Sequence, residues 1–246
     1  YSLFVYRENN RIMKRKNIFI ATIISIFMLP LLSNAQEEII IIETFRKNAP
    51  ERFDAPKTPS FTLVSKSGKY AMGIGGYVKG TVSMDFNGAI NNAAYFTTSA
   101  IPVNPLPGND KLLQYNVNQS NLSFNFVSLA DKKSKFGAYI NMNFSGNNYT
   151  PYIEDAYITY GGLLMGRTTS IFTDAAAIPP TIDSEGPNGL TYKTNTVLNY
   201  ISNWGERKRF STGIGLEMPS TDFTVSNEQR ITNQYIPDIP SYIQFA

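Results

Sequence analysis

From Ala71 onward, apolar residues fall at every second position in separate segments of about ten residues. That period leaves little choice of structure, because successive side chains of a strand point to opposite faces whereas helical neighbours recur every three or four residues. In the first segment Ile74, Val78, Val82, Met84 and Phe86 share a face with Gly76 and Gly80, opposite Tyr77, Lys79, Thr81, Ser83 and Asp85. Leu122, Phe124 and Phe126 then alternate with Asn121, Ser123 and Asn125, and Phe136, Ala138, Ile140, Met142 and Phe144 with Tyr139, Asn141 and Asn143. A fourth segment sets Ala156, Ile158 and Tyr160 against Asp155, Tyr157 and Thr159, with Glu154 falling on the apolar face and expected at a rim. Leu163 to Ser170 and Thr191 to Ser202 are less regular. Phe210, Ile214, Leu216 and Met218 form a clear seventh, and an eighth starts near Ile236. The 15 Tyr and 16 Phe suit strands as well. The expected fold class is all-β and antiparallel.

Alternation alone does not separate a soluble sandwich from a membrane barrel, since each has one apolar face. Two further features favour the barrel. The connections measure about 30 residues, then roughly 8, 7, 2, 20, 5 and 17, so longer and shorter ones take turns, as external loops and periplasmic turns do in outer-membrane barrels. The weakest step is Ser145 to Pro151, scarcely longer than the turn Leu129 to Lys135. Aromatic residues also gather near the ends of the apolar faces, at Phe86, Phe126, Phe136, Phe144, Tyr160 and Phe210, where a membrane interface would hold them. Ten residues tilted near 45° span about 24 Å, close to the hydrocarbon thickness such barrels cover.

The N-terminal region reads as an export leader. Lys14, Arg15 and Lys16 follow Met13, an apolar run extends from Ile18 to Leu32, and Ser33-Asn34-Ala35 places small residues at a cleavage site. Residues 1–12 precede the expected initiator and read as upstream read-through, 13–35 as signal peptide, and 36–70 as a polar periplasmic extension broken by Pro50, Pro56 and Pro59 and containing the run Ile39 to Ile42. Removing residues 1–35 takes away five of 22 basic and one of 19 acidic residues, leaving 17 against 18 and a net charge of −1. The basic character of the whole chain therefore belongs to the leader and gives no support to a nucleic-acid partner. With no His and no Cys, the chain carries neither a Ser-His-Asp triad, nor a His-ligated metal, nor a thiol nucleophile, and no disulfide. No catalytic residue, cofactor or metal is expected.

Three motifs resemble one family. Gly75-Gly76-Tyr77-Val78-Lys79, then Asp155-Ala156-Tyr157 through Gly161-Gly162-Leu163-Leu164-Met165-Gly166-Arg167-Thr168, then Thr181-Ile182-Asp183 with Gly186-Pro187-Asn188-Gly189 are similar, in that order, to the DcaP-like porins. Ser170-Ile171-Phe172-Thr173-Asp174, closing the central block, adds to the likeness, which runs from about Lys69 onward; Arg167 and Thr169 depart from it, standing where Gln and Trp are usual. The resemblance implies a 16-stranded trimeric channel in the outer membrane of a Gram-negative bacterium, of which 71–246 is the N-terminal part, passing small hydrophilic, anionic solutes by diffusion. The implied partners are outer-membrane lipid, the solutes and two further copies of the chain.

A channel works through lumen charges and inward-folded loops. The alternation nominates Lys79, Arg167 and Arg209 as lumen cations, Asp85, Asp155 and Glu217 as lumen anions, and Tyr157 beside them, a distribution that would set a transverse field. The long connection Ile171 to Leu190, with Asp174, Asp183 and Glu185 among Pro179, Pro180 and Pro187, is the expected constriction loop. The competing expectation is a small eight-stranded barrel with a structural or adhesin role, disfavoured because its interior must be packed by side chains larger than the Gly and Ser found here. Gly73-Ile74-Gly75-Gly76 has no following helix and is no nucleotide loop, and Arg207-Lys208-Arg209 reads as a solvated rim.

Overall fold

The structure, a computed structural model, describes residues 45, 59–92, 95–104, 107–108, 110–128, 136–174, 177–179, 181, 185–187, 189–205, 209–219 and 234–245. The expected read-through, leader and isoleucine run lie outside them, as do the turn Leu129 to Lys135, Arg207-Lys208 and Asp183.

Eleven strands follow in chain order among the described residues: β1 (Phe61–Val64), β2 (Tyr70–Tyr77), β3 (Thr81–Asp85), β4 (Leu112–Asn116), β5 (Asn121–Ser128), β6 (Phe136–Asn143), β7 (Tyr152–Tyr160), β8 (Leu163–Thr169), β9 (Thr194–Trp204), β10 (Phe210–Glu217) and β11 (Ser241–Phe245). Nine of them make one antiparallel sheet in the order β1-β2-β5-β6-β7-β8-β9-β10-β11, and β3 and β4 pair separately. Apart from the hairpin that leaves between β2 and β5, each strand lies beside its sequence neighbour, the arrangement of an up-and-down barrel wall. β1 and β11 are its edges and do not pair with each other, so the nine strands form an open wall and not a closed eight-stranded cylinder.

Three sequence expectations are corrected. The sheet begins inside the segment read as an extension: β1 pairs β2 from Phe61↔Ile74 to Val64↔Ala71, and the turn between them is closed by Ser65 N–H on the Tyr70 carbonyl at 2.9 Å. The first long segment is two strands. The β2–β5 ladder stops at Tyr77↔Asn121 and the β3–β4 ladder starts at Thr81↔Asn116, leaving residues 78–80 on one side and 117–120 on the other unpaired. The extra residue breaks the hydrogen-bond register as a bulge does, so β3 and β4 continue the hairpin as a ribbon where a loop was expected. The eighth segment becomes a strand only at Ser241, although Asp238 already bridges Glu217 ahead of it.

The burial of the two faces decides between sandwich and barrel wall. In a sandwich the apolar face is enclosed. Here it is the exposed one: Ile158 keeps 47% of its surface, Met165, Leu198 and Leu216 are similarly open, and Ile214 keeps 55%. The polar face is the covered one, with Asn121, Asn125, Asn141, Asn143, Asp155, Thr168, Asn195, Asn199 and Glu217 all buried. Two rings, Tyr139 and Tyr157, fill it with centroids 5.5 Å apart. A wall that shields its amides and shows its aliphatics is built for an apolar surround.

On the apolar face the aromatics collect at the end where the short turns lie. Tyr70 stacks on Phe126 at 6.0 Å, Phe126 meets Phe136 edge-on at 6.3 Å, Trp204 stacks on Phe210 at 4.7 Å, and Phe210 meets Phe245 at 5.0 Å. Registers Phe136↔Tyr160 and Leu163↔Tyr200 join the two groups into a belt. Phe126, Phe136, Tyr160 and Phe210 of the expected girdle belong to it; Phe86 and Phe144 follow β3 and β6 at the other end of their strands.

Candidate pore-lining face

The polar face is wired across four strands. Asn121 Nδ2 (β5) donates to Asn141 Oδ1 (β6) at 2.6 Å; Asn141 Nδ2 donates to Asp155 Oδ2 (β7) at 3.1 Å; Thr168 Oγ1 (β8) donates to Asp155 Oδ1 at 2.8 Å. Asp155 is fully enclosed, at 0% exposure. A carboxylate so placed is tolerable because donors reach both of its oxygens, and hydrogen bonds to a charged acceptor are each worth about 1.5–3 kcal/mol.

Glu154 joins this ladder, and its position corrects the sequence reading. Simple alternation puts it on the apolar face. In the structure Asn141 pairs Asp155 and Met142 pairs Ile153, so Glu154 is an extra residue inserted between the two pairs. The bulge resets the alternation. Glu154 Oε2 and Oε1 thereby accept from Asn141 Nδ2 at 3.0 Å and Asn143 Nδ2 at 2.8 Å. Sequence reading misses the asparagines as site residues too; the signal available was that those of β5, β6 and β9 stand two or four residues apart and so share one face.

A second cluster sits at β9 and β10. Glu217, 3% exposed, accepts from Ile171 N–H at 3.3 Å and from Asn195 Nδ2 at 3.4 Å. Ile171 opens the long connection after β8, and its Cδ1 lies 3.4 Å from where a Cβ on Gly215 would stand. Ser170 N–H bonds the Lys193 carbonyl at 2.8 Å and Thr173 N–H bonds the Ser170 carbonyl at 3.0 Å, so the connection begins as a tight turn laid against the polar face.

The nominated lumen residues therefore separate. Asp155, Tyr157 and Glu217 are brought together on the polar face. Lys79 stands in the break after β2, its backbone N–H bonded to Ser120 Oγ at 3.1 Å, and Arg209 immediately precedes β10 at the short-turn end. Asp85 is on the ribbon, where Oδ2 accepts the Ile90 N–H at 3.1 Å and closes its own loop. Arg167 is on the other face: it pairs with Ala156 and Thr196, in the same row of faces as Met165 and Leu198. Its guanidinium reaches along the sheet to Tyr152 Oη at 3.0 Å and the Ile153 carbonyl at 3.4 Å, with Cζ 5.9 Å from the Tyr152 ring. A long side chain that turns its charge toward a strand end is the usual way for Arg to occupy an apolar face. Within the described sheet the polar face thus carries Asp155 and Glu217 and none of the three nominated cations. Asp174 and Glu185 of the long connection are exposed.

Glycine fixes the spacing of this face. Gly166, at φ 141°, lies so close to the Ala156 carbonyl and Tyr157 Cα that any side chain would force β7 and β8 apart beside Asp155.

No protein-family model matches the chain, and no curated protein sequence does. Among solved structures it is similar to the crystal structure of the outer membrane channel DcaP of Acinetobacter baumannii, with a TM-score of 0.62 and 20% identity over 74% of this chain and 50% of that one. The two share a fold. The match meets the resemblance seen in the sequence motifs, and this chain spans about half the length of that channel.

Proposed function

We propose that this chain forms part of the wall of an outer-membrane porin, a water-filled channel through which small hydrophilic solutes diffuse without chemistry on the protein. The observation that carries the reading is the inverted burial: aliphatic residues exposed on one face, an amide and carboxylate ladder enclosed on the other. Such a sheet suits lipid outside and water inside, and the fold of a solved outer membrane channel supports the same assignment. β9, at 11 residues and about 3.3 Å each, covers about 26 Å when tilted near 45°.

Export by a cleaved leader and assembly as a trimer belong to the same proposal. The constriction is assigned to the connection from Ile171 to Leu190. Its first turn lies against the polar face and is held by Glu217, so the remainder of the connection starts from inside the wall. Asp174, Asp183 and Glu185 then carry the charge that solutes meet, while Asp155 and Glu217 are structural acceptors whose oxygens are occupied.

Two measurements test this. The full-length protein should run as a compact band in cold detergent and shift on boiling, and it should give discrete conductance steps in planar bilayers. Neutralising Asp174, Asp183 and Glu185 together should move the reversal potential toward anions; stepwise conductance with an unmoved potential would remove the loop from the selectivity role, and no conductance would remove the channel.

A further inference from the structure

The polar face is covered at a second place, far from Ile171, by residues that precede β1. Phe45 is completely buried, and its carbonyl accepts Asn125 Nδ2 at 3.1 Å across 80 positions of sequence. Asn125 lies on the polar face of β5, 4% exposed. Beside it on β2, Gly73 is bare: a Cβ there would stand 2.5 Å from Pro59 Cγ, 2.7 Å from Pro59 Cβ and 3.4 Å from Phe45 Cζ. Two residues along the same face, a Cβ on Gly75 would lie 3.4 Å from Pro59 Cα. The pyrrolidine ring and the phenyl ring thus fill space that side chains at 73 and 75 would otherwise take.

This arrangement has the parts of a binding slot. Two glycines remove side chains from a stretch of wall, so flat apolar rings can lie directly on backbone. An asparagine at the slot's edge supplies an amide hydrogen to a main-chain carbonyl, a contact that holds a segment without reading its side chains. The occupant belongs to the same chain, and from Ser60 it turns into β1 at the sheet edge.

We propose that Gly73, Gly75 and Asn125 form an intramolecular seat for Phe45 and Pro59 on the inner wall, so that residues expected to hang in the periplasm instead line and narrow the channel. The inference rests on the porin reading for the word channel, and on geometry alone for the seat. The seat adds a phenyl and a pyrrolidine ring to a wall whose strands already carry Tyr139 and Val127 beside Asn125.

These 246 residues contain no cysteine, so introduced pairs test the seat in the full-length protein once any cysteine elsewhere in it has been replaced by serine. In cells treated with a mild oxidant, P59C/G75C should lose both thiols to a disulfide, scored by maleimide-polyethylene glycol addition with and without reductant. P59C/M72C, whose second site points to the opposite face, should keep them. In planar bilayers, releasing the P59C/G75C bond with reductant should raise conductance or its fluctuation, and F45A and G73V should raise single-channel conductance by roughly 1.2-fold or more because pore diameter grows. Failure of P59C/G75C to crosslink overturns the seat. A crosslink with equal conductance in locked, reduced, F45A and G73V channels overturns the narrowing. If P59C/G75C crosslinks but neither it nor the parent ever conducts, the channel reading and the narrowing fall together, with the seat left standing.

Discussion

On one face of the sheet Ile158, Leu198 and Ile214 stand open, while directly behind them Asn141, Asp155 and Asn199 are enclosed. A water-soluble sheet has the reverse arrangement, because apolar surface removed from water yields about 25 cal/mol per Å² whereas a buried amide yields little net. The difference teaches that the same alternating sequence can be stable in two senses, and that the surround selects which. Where lipid replaces water, the aliphatic face needs no cover. The polar face must then satisfy itself or meet a lumen, and the Asn121-Asn141-Asp155-Thr168 ladder does the first.

The strongest challenge to this contrast is a charge placed on the open face. Leu198→Arg, near the middle of β9, is expected to cost about 2–4 kcal/mol at the bilayer midplane, seen as a lower temperature for the boiling-induced gel shift. A soluble sheet would tolerate it, so an unchanged transition would break the assignment of faces. From the other side, Asp155→Ala removes the acceptor of two buried donors and should cost about 2–3 kcal/mol by the same assay, with Asp155→Asn losing less because one carbonyl oxygen remains. Equal loss in both variants would mean that the carboxylate's charge or its second acceptor oxygen, and not packing, matters there.

Gly166→Ala sharpens the comparison at the backbone. Strain of about 1–3 kcal/mol is expected from its positive φ and the nearby Ala156 carbonyl, read as a lowered transition with conductance steps preserved. The smallest effect belongs to Arg167→Leu. Since Arg167 faces outward near a strand end, the variant should stay within about 1 kcal/mol of the parent and leave the reversal potential unmoved. A shifted potential would return Arg167 to the lumen, where simple alternation had it.

That last residue shows why reading by period reaches only so far. The strands β5, β6 and β10 were legible because their alternation is clean over eight residues, and β7 because it is clean from Asp155 to Tyr160. β8 was legible as a strand but not by face: Gly166 and Arg167 follow Leu163, Leu164 and Met165, a run that gives no parity of its own, and only pairing with β7 and β9 assigned it. Glu154 failed for a different reason, since a bulge shifts the count by one and nothing in Tyr152-Ile153-Glu154-Asp155 announces it. β1 and β4 were missed because four or five residues are too few to show a period.

The sequence by itself determined that the described sheet is antiparallel β structure with one apolar and one polar side, because alternation and turn length are local properties of the chain. It also left no His or Cys within these 246 residues. Tertiary structure decided which side is covered, which charges share a face, and that Phe45 lies against Gly73 and Asn125. Those are matters of register and of contacts between residues as many as 80 positions apart. A one-residue slip changes every face in a strand, and no local pattern records where such a slip occurs.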